Sequence, residues 1–244
     1  MLNRVLAVAL AAGLVAGLAI AVLQHFTTTP LILAGEAFEK PAGHASLDPA
    51  AGLRFSGATI ILAHSHGEGA HDEAGWSPTD GLERTAFTSL ATVVTAIGFA
   101  LILMAGLVLS GDPIDGRRAL AWAAAAFIAT GLAPALGLAP ELPGSAAAPL
   151  LARQIWWMGT AVATAAALWL LIRTPGLWAK AAGLLLLLAP HVIGAPRPEV
   201  YASGAPAELA GAFAATSLVV NAALWASVAV AVGFFWQRFK PHAS

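Results

Sequence analysis

Apolar runs long enough to cross a lipid bilayer recur along the whole chain, and they restrict it to folds that bury helices in a membrane. A helix needs about 20 apolar residues to cross the hydrocarbon core. Six segments meet this requirement, namely residues 5–23, 87–109, 119–139, 155–172, 177–194 and 209–236. Only 10% of the residues are charged, against roughly 25% in soluble proteins. We therefore predict an all-α polytopic transmembrane helix bundle in which residues 1–244 form a single integral membrane domain.

Two of these segments leave alternatives open. Residues 177–194 contain Lys180 near their start, and a cation at that depth must extend its side chain to the membrane surface. A five-span bundle with this segment re-entrant is therefore the alternative to six spans. In the first segment, Gly13 and Gly17 form a small-xxx-small pair. Such a pair either lets a neighbouring helix pack closely or is an ordinary feature of an Ala-rich helix.

The positions of Lys and Arg predict the orientation of the spans. Short cytoplasmic segments of membrane proteins carry an excess of cations. With the amino terminus inside, seven cations fall in short inner segments, namely Arg4, Arg117, Arg118, Arg173, Lys180, Arg238 and Lys240. We therefore predict that both termini are cytoplasmic. Residues 24–85 then form a long periplasmic segment.

Several classes of function are disfavoured by what the sequence lacks. A net charge of −1 provides no basic field for nucleic acid. The chain has no Cys, which excludes thiolate metal sites and thiol redox chemistry. The predicted inner loops are too short for a catalytic domain, and neither a GxxxxGK[ST] nor a GxGxxG motif is present. We predict that the chain is not an enzyme.

A cluster of imidazoles and carboxylates lies in the periplasmic segment, within residues 64–73. Neutral imidazole and carboxylate together are ligands for divalent transition metals such as Co, Ni and Zn. The glycines between them would let the chain wrap around an ion. The predicted ligands of this metal-capture loop are His64, His66, Glu68, His71, Asp72 and Glu73. The alternative interpretation is an acidic solvated linker that happens to contain His.

A second set of candidate ligands lies at the outer ends of the first, third and fifth spans. These residues are His25, Glu141 and His191, with Glu199 as a weaker candidate. Two imidazoles and one carboxylate would leave open positions on a metal ion that must move on. The alternatives are interfacial anchoring for His25 and simple solvation for Glu141. Deeper polar side chains are few, and Thr164, Thr216 and Asn221 are the notable ones.

The sequence resembles the CbtA family of probable cobalt transporter subunits in bacteria. The matching segments occur in the same order along nearly the whole chain, and they are residues 1–25, the His-rich segment, residues 76–85, 132–144, 153–157 and 190–196. The resemblance implies cobalt uptake linked to cobalamin biosynthesis. It also implies a small CbtB-type partner with one span and a His-rich end. Members of the family are described with five predicted spans.

The predicted function is therefore a membrane subunit of a divalent transition-metal uptake transporter, most simply for cobalt. The identity of the metal comes from the resemblance alone, because the same ligands suit nickel or zinc. Two alternatives remain open at this stage. One is a haem- or quinone-binding membrane redox protein with His25 and His191 as axial ligands. The other is a metal sensor or assembly factor that does not transport.

Overall fold

A computed structural model describes residues 1–38, 78–111, 113–199 and 204–239, and the described part is built from helices. The predicted capture-loop residues 64–73 lie outside the described residues. In chain order the helical elements are α1 (Leu2–Phe26), α2 (Thr28–Glu36), α3 (Leu82–Leu109), α4 (Gly116–Phe127), a π-helical segment (Ile128–Leu132), α5 (Ala133–Ala135), α6 (Leu150–Arg173), α7 (Leu177–Ile193) and α8 (Ala207–Arg238).

Five helical stretches in the described part are long and apolar enough to cross a membrane. They are α1, α3, the continuous stretch Gly116–Ala135, α6 and α8, and each coincides with a predicted span. The remaining predicted span is the shorter apolar helix α7, which has 17 residues. At 1.5 Å per residue this helix is about 25 Å long, somewhat short of the roughly 30 Å hydrocarbon core.

Helix α7 runs antiparallel to α6, from the end of α6 back towards its beginning. At the start of α7, the Lys180 ammonium donates to the carbonyls of Leu171 and Thr174, the latter at 3.1 Å. Near the end of α7, the Pro190 carbonyl accepts a hydrogen bond from the Trp156 indole. Lys180 therefore stabilises the carboxyl end of α6, where a cation is favourable to the helix dipole. The two ends of α7 lie at opposite ends of α6, as expected for a short sixth crossing.

The first and last long helices meet at one end of the molecule. The Arg4 guanidinium donates to the Trp236 carbonyl and lies 3.7 Å from the centre of the Trp236 ring. Because α1 begins and α8 ends on the same side, the chain from α1 to α8 makes an even number of crossings. This agrees with the predicted six. We call the side where α1 begins and α8 ends the terminal face, and the opposite side the distal face.

A four-helix bundle of α1, α3, α4 and α8 forms the buried core. A Cβ added to Gly13 would lie 2.4 Å from the Ile97 Cα, and one added to Gly17 would lie 2.6 Å from the Val93 Cα. The α1 and α3 backbones approach closely because these two positions lack side chains. Of the two alternatives left open for Gly13 and Gly17, the structure supports close packing of a neighbouring helix.

The helices are interrupted at two places, after α1 and in the third span. After α1 the backbone breaks at Thr27 (φ −121°, ψ −74°), and α2 begins at once, within the predicted long outer segment. In the third span, the π-helical segment precedes Pro134, which has no N–H to continue the ladder. Here the Ala133 N–H bonds to the Ile128 carbonyl five residues back, which is the π-helical register.

Candidate functional site

Three segments that are far apart in the sequence meet at the beginning of α6, on the distal face. Arg153 Nη2 lies 3.0 Å from Glu141 Oε2 of the loop after α5. One turn further along α6, Trp156 Nε1 donates to the Pro190 carbonyl at 3.3 Å. The Trp156 and His191 rings are edge to face, with centroids 6.1 Å apart. We call Glu141, Arg153, Trp156, Pro190 and His191 the distal cluster.

The loop after α5 packs closely on this cluster because Gly137 has no side chain. A Cβ at Gly137 would lie 2.4 Å from the Trp156 ring and 2.9 Å from the Ala195 Cβ. Trp156 is therefore enclosed between the loop after α5 and the segment that follows α7. Close packing of this kind fixes the Trp156 ring. Glu141 therefore contacts α6 at Arg153, and His191 contacts it one turn further along, at Trp156.

The Glu141–Arg153 ion pair is accessible to solvent. The side chains are 34% and 31% exposed, respectively. Ion pairs in contact with water contribute little net stability, because solvent competes for both partners. The Glu141 carboxylate can therefore leave Arg153 at low cost when a second cation approaches.

His25 is exposed and lies in a separate region of the distal face. It lines a cavity of about 400 Å³ between α1, α2 and α3, together with Gln24, Glu36, Asp80 and Arg84. The Arg84 guanidinium holds the Glu36 carboxylate through two hydrogen bonds and also lies 3.3 Å from Asp80 Oδ1. The carboxylates of Glu36 and Asp80 therefore both face the Arg84 guanidinium.

The predicted joint site of His25, Glu141 and His191 is not assembled among the described residues. Within residues 1–38, 78–111, 113–199 and 204–239, no three His, Cys, Asp or Glu side chains are grouped so that they could hold a metal ion. The physical reason is the helix arrangement. Helix α7 packs on α6, which places His191 beside Trp156, one turn from the Arg153 that pairs with Glu141, whereas His25 lines the cavity between α1, α2 and α3. Glu199 is exposed in the segment after α7.

Helix α2 connects the two polar regions of the distal face. Glu36 near its end pairs with Arg84, and a Cβ at Gly35 would lie 3.1 Å from the Leu142 side chain. Leu142 is buried and directly follows Glu141. The Glu36–Arg84 pair was not predicted, because no helix was predicted directly after α1 and nothing in the sequence places Glu36 beside the start of α3.

Buried polar groups without partners occur near the middle of the bilayer-spanning helices. Asn221 Oδ1 on α8 and Thr164 Oγ1 on α6 are buried and have no hydrogen-bond partner within the described part of the chain. A Cβ at Gly131, in the π-helical segment, would lie 3.4 Å from Asn221 Oδ1. Buried acceptors without partners are costly in an apolar environment and usually have a functional reason.

Comparison with known proteins gives one match that covers nearly the whole chain. The model of the CbtA family, described as a probable cobalt transporter subunit, matches residues 2–237. No curated protein and no solved structure matches the chain.

Proposed function

The chain belongs to the CbtA family of probable cobalt transporter subunits, and we propose that it takes up Co²⁺ from the periplasm through the distal cluster. The terminal face is then cytoplasmic, and the imported cobalt supplies cobalamin biosynthesis. The chain binds and moves the ion and catalyses no reaction. A small CbtB-type subunit with a His-rich end is its proposed partner in the bacterial inner membrane.

The observation that carries this proposal is the distal cluster itself. It joins a carboxylate, Glu141, and an imidazole, His191, through adjacent positions on α6, and both are ligand types for Co²⁺. The segments that build it, residues 132–144, 153–157 and 190–196, lie within the matched range.

Exchange of partners at Glu141 gives a simple mode of ion entry. With no metal present, Arg153 neutralises the carboxylate. An arriving dication would displace the guanidinium from Glu141 and would bind the nearby His191 ring, while water fills its other positions. Because the ion pair is accessible to solvent, breaking it costs little. When the ion leaves, Arg153 can pair with the carboxylate again.

The proposed route inwards follows the irregular third span. The loop that carries Gly137 and Glu141 continues from α5 and the π-helical segment. That segment brings Gly131 beside the unpartnered Asn221 oxygen near the middle of α8. Irregular backbone within a membrane occurs where it is enclosed by protein or lines a cavity, and it offers carbonyl oxygens to a cation.

Residues 64–73 are proposed to act before the distal cluster, as a capture loop that raises the local metal concentration. Its ligands are His64, His66, Glu68, His71, Asp72 and Glu73. Metal and protons compete for the same imidazole lone pairs, so capture should weaken as the pH falls through about 6.5.

The decisive experiment is accumulation of radioactive cobalt in cells that express the chain with its partner, with nickel and zinc as competitors. Wild type should accumulate cobalt, and His191→Ala should abolish accumulation even at saturating metal. Loss of one ligand at such a site costs roughly 10–100-fold in affinity or activity. The control is His25→Ala, which lies in the other cavity and should retain most uptake. Normal uptake by His191→Ala at wild-type protein levels would refute the distal cluster as the entry site.

Variants of the capture loop and variants of the distal cluster should change different kinetic parameters of uptake. Replacing His64, His66 and His71 together by Ala should raise the cobalt concentration for half-maximal uptake and leave the maximal rate nearly unchanged. A triple variant that matches wild type in limiting cobalt would show that the loop is a solvated linker.

Orientation is tested by reporter fusions. Fusions after Ala45, Ser145 and Ser203 should report a periplasmic location, and fusions after Ile114, Pro175 and Ser244 a cytoplasmic one. A periplasmic reporter after Ser244 would contradict an even number of crossings.

A further inference from the structure

The last turn of α7 carries His191 and is held by fewer hydrogen bonds than an uninterrupted helical turn. Pro190 has no N–H, so the carbonyl one turn earlier receives no hydrogen bond from it. At the other end, Gly194 has φ +87° and ends the helix. Val192 and Ile193 are 84% and 80% exposed. The position of this turn must therefore be set by the contacts of Pro190 and His191.

One carbonyl joins this turn to α6. The Pro190 oxygen accepts the Gly194 N–H at 3.0 Å and the Trp156 indole N–H at 3.3 Å. The first of these bonds closes the turn itself, and the second comes from the neighbouring helix. Trp156 therefore fixes the backbone at the residue that directly precedes His191.

The same indole contacts the His191 side chain. The two rings are edge to face, with an angle of 71° between their planes, which is a favoured arrangement of aromatic rings. Within the described part of the chain, no hydrogen bond holds either nitrogen of the His191 ring. Metal-binding imidazoles are usually oriented by a hydrogen bond at the nitrogen that does not bind the metal. At His191 the contact with the indole takes the place of that bond.

Trp156 can orient His191 because it is itself fixed. A Cβ at Gly137 would lie 2.4 Å from the Trp156 ring, so the loop that carries Glu141 packs directly on the indole. One turn earlier on α6, Arg153 pairs with Glu141. Trp156 thus lies between the segment that carries the carboxylate and the segment that carries the imidazole.

We infer that Trp156 is the positioning residue of the distal cluster. Its indole N–H holds the Pro190 carbonyl and its ring holds the His191 imidazole, so that one ion can bind His191 and Glu141 together. The inference rests on the proposed function, because it concerns the orientation of a proposed ligand. Trp156 does not contact the ion and acts only through His191. Without the indole N–H, the last turn of α7 loses its fixed position relative to α6, and the ion is held by fewer ligands at a time.

Calorimetric titration of the purified intact protein with Co²⁺ in detergent tests this inference. In the parent protein His64, His66 and His71 are replaced by Ala, so that the capture loop does not contribute to the measured affinity. Trp156→Phe removes the indole N–H and should weaken Co²⁺ binding roughly tenfold, which is the lower end of the range for residues that orient metal ligands. His191→Ala should weaken it at least as much. Added to His191→Ala, Trp156→Phe should cause no further loss, because a residue that acts only through His191 then has nothing left to orient.

The matched control is Trp157→Phe, which should keep the affinity of the parent. Trp157 is the next residue on α6, is exposed, and makes no hydrogen bond through its indole within the described residues. If Trp156→Phe does not fold, the benzothienyl analogue of tryptophan at position 156 gives the same decision, because it keeps the shape of the side chain and carries sulfur in place of the N–H.

The outcomes separate this inference from the proposed function. Full affinity in Trp156→Phe, with weak binding in His191→Ala, would overturn the positioning role and leave the distal cluster as the entry site. An equal loss from Trp156→Phe with and without His191 would also overturn it, since Trp156 would then act on the structure as a whole. Full affinity in His191→Ala, or no Co²⁺ binding by the parent, would refute the proposed function together with the inference.

Discussion

The four-helix bundle of α1, α3, α4 and α8 and the hairpin of α6 and α7 are stabilised in different ways. Helices in the bundle meet through small residues at backbone distance, as at Gly13, Gly17 and Gly233. The hairpin buries few positions, and on α7 these are Gly183 and Pro190. It joins the rest of the molecule mainly through the π-helical segment, α4 and α5.

The difference shows how structure and function are divided in this chain. Apolar surface that faces lipid has no reason to associate, so helices in a membrane are joined by close packing and specific polar contacts. The bundle has abundant close packing. The attachment of the hairpin to the bundle depends on fewer contacts, and those at the distal cluster are the ones that present Glu141 and His191. A change in the bundle should therefore affect folding, and a change at the hairpin should affect transport.

The largest expected effect is on the bundle. Gly13→Ala places a methyl group 2.4 Å from the Ile97 Cα, so two backbones must separate. Overpacking of this kind typically costs about 1–3 kcal/mol and occasionally more. We expect a clear drop in thermal stability and in the amount of folded protein, measured by size-exclusion chromatography of the detergent-solubilised chain. Gly98→Ala on α3 is the control, because nothing lies within 4 Å of a Cβ there. Equal behaviour of the two variants would contradict close α1–α3 packing.

The second effect is on the attachment of the hairpin. Gly137→Ala brings a methyl group against the Trp156 ring and the Ala195 Cβ. Because Trp156 is a side chain that can move, the protein should still fold, while Glu141 and His191 lose their arrangement. We expect cobalt uptake to fall roughly tenfold at normal protein levels, comparable with loss of a supporting residue at a metal site. Gly159→Ala on α6 meets nothing within 4 Å and should be silent. If Gly137→Ala lowered thermal stability as much as Gly13→Ala, the bundle and the attachment of the hairpin would not differ in their importance for folding.

The third effect links the bundle to the proposed route. Asn221→Leu removes a buried oxygen that has no partner within the described residues. Replacing an unsatisfied polar group by an apolar one of similar size is close to neutral or stabilising. Thermal stability should therefore stay the same or rise, while cobalt uptake falls several-fold. Thr216→Val on the same helix serves as the control. Unchanged uptake by Asn221→Leu would exclude this oxygen from the route.

The smallest effect concerns the contact within the hairpin. Lys180→Met removes the ammonium that donates to carbonyls at the end of α6. Such contacts with a helix carboxyl terminus contribute about 0.3–1 kcal/mol, and up to about 2 kcal/mol when partly buried. A modest decrease in thermal stability is expected, and Lys180→Arg should restore most of it. A stability change larger than that of Gly13→Ala would show that the hairpin, and not the bundle, limits folding.

The spans were predictable because length and apolarity alone decide whether a helix crosses a membrane. Both α2 and the π-helical segment were missed, since a break at Thr27 and a change of register before Pro134 depend on local backbone geometry. The sequence predicted that Glu141 and His191 lie on the same side of the membrane, because successive spans cross it in alternating directions. The short connection between α6 and α7 makes these two helices neighbours, but the sequence does not specify which of the other helices pack together, such as α8 on α1 and α4.

The contact of Arg4 with Trp236 has a consequence for biosynthesis. Arg4 lies on α1, which leaves the ribosome before the other described helices, and Trp236 lies near the end of α8, which leaves it after them. The bundle core therefore cannot close until α8 has been synthesised, although α1 and α3 are inserted long before. During that interval the surfaces of α1 and α4 that will later contact α8 remain accessible to other membrane components. Shielding of these surfaces, by lipid or by an insertion factor, is therefore expected to limit the yield of correctly assembled protein.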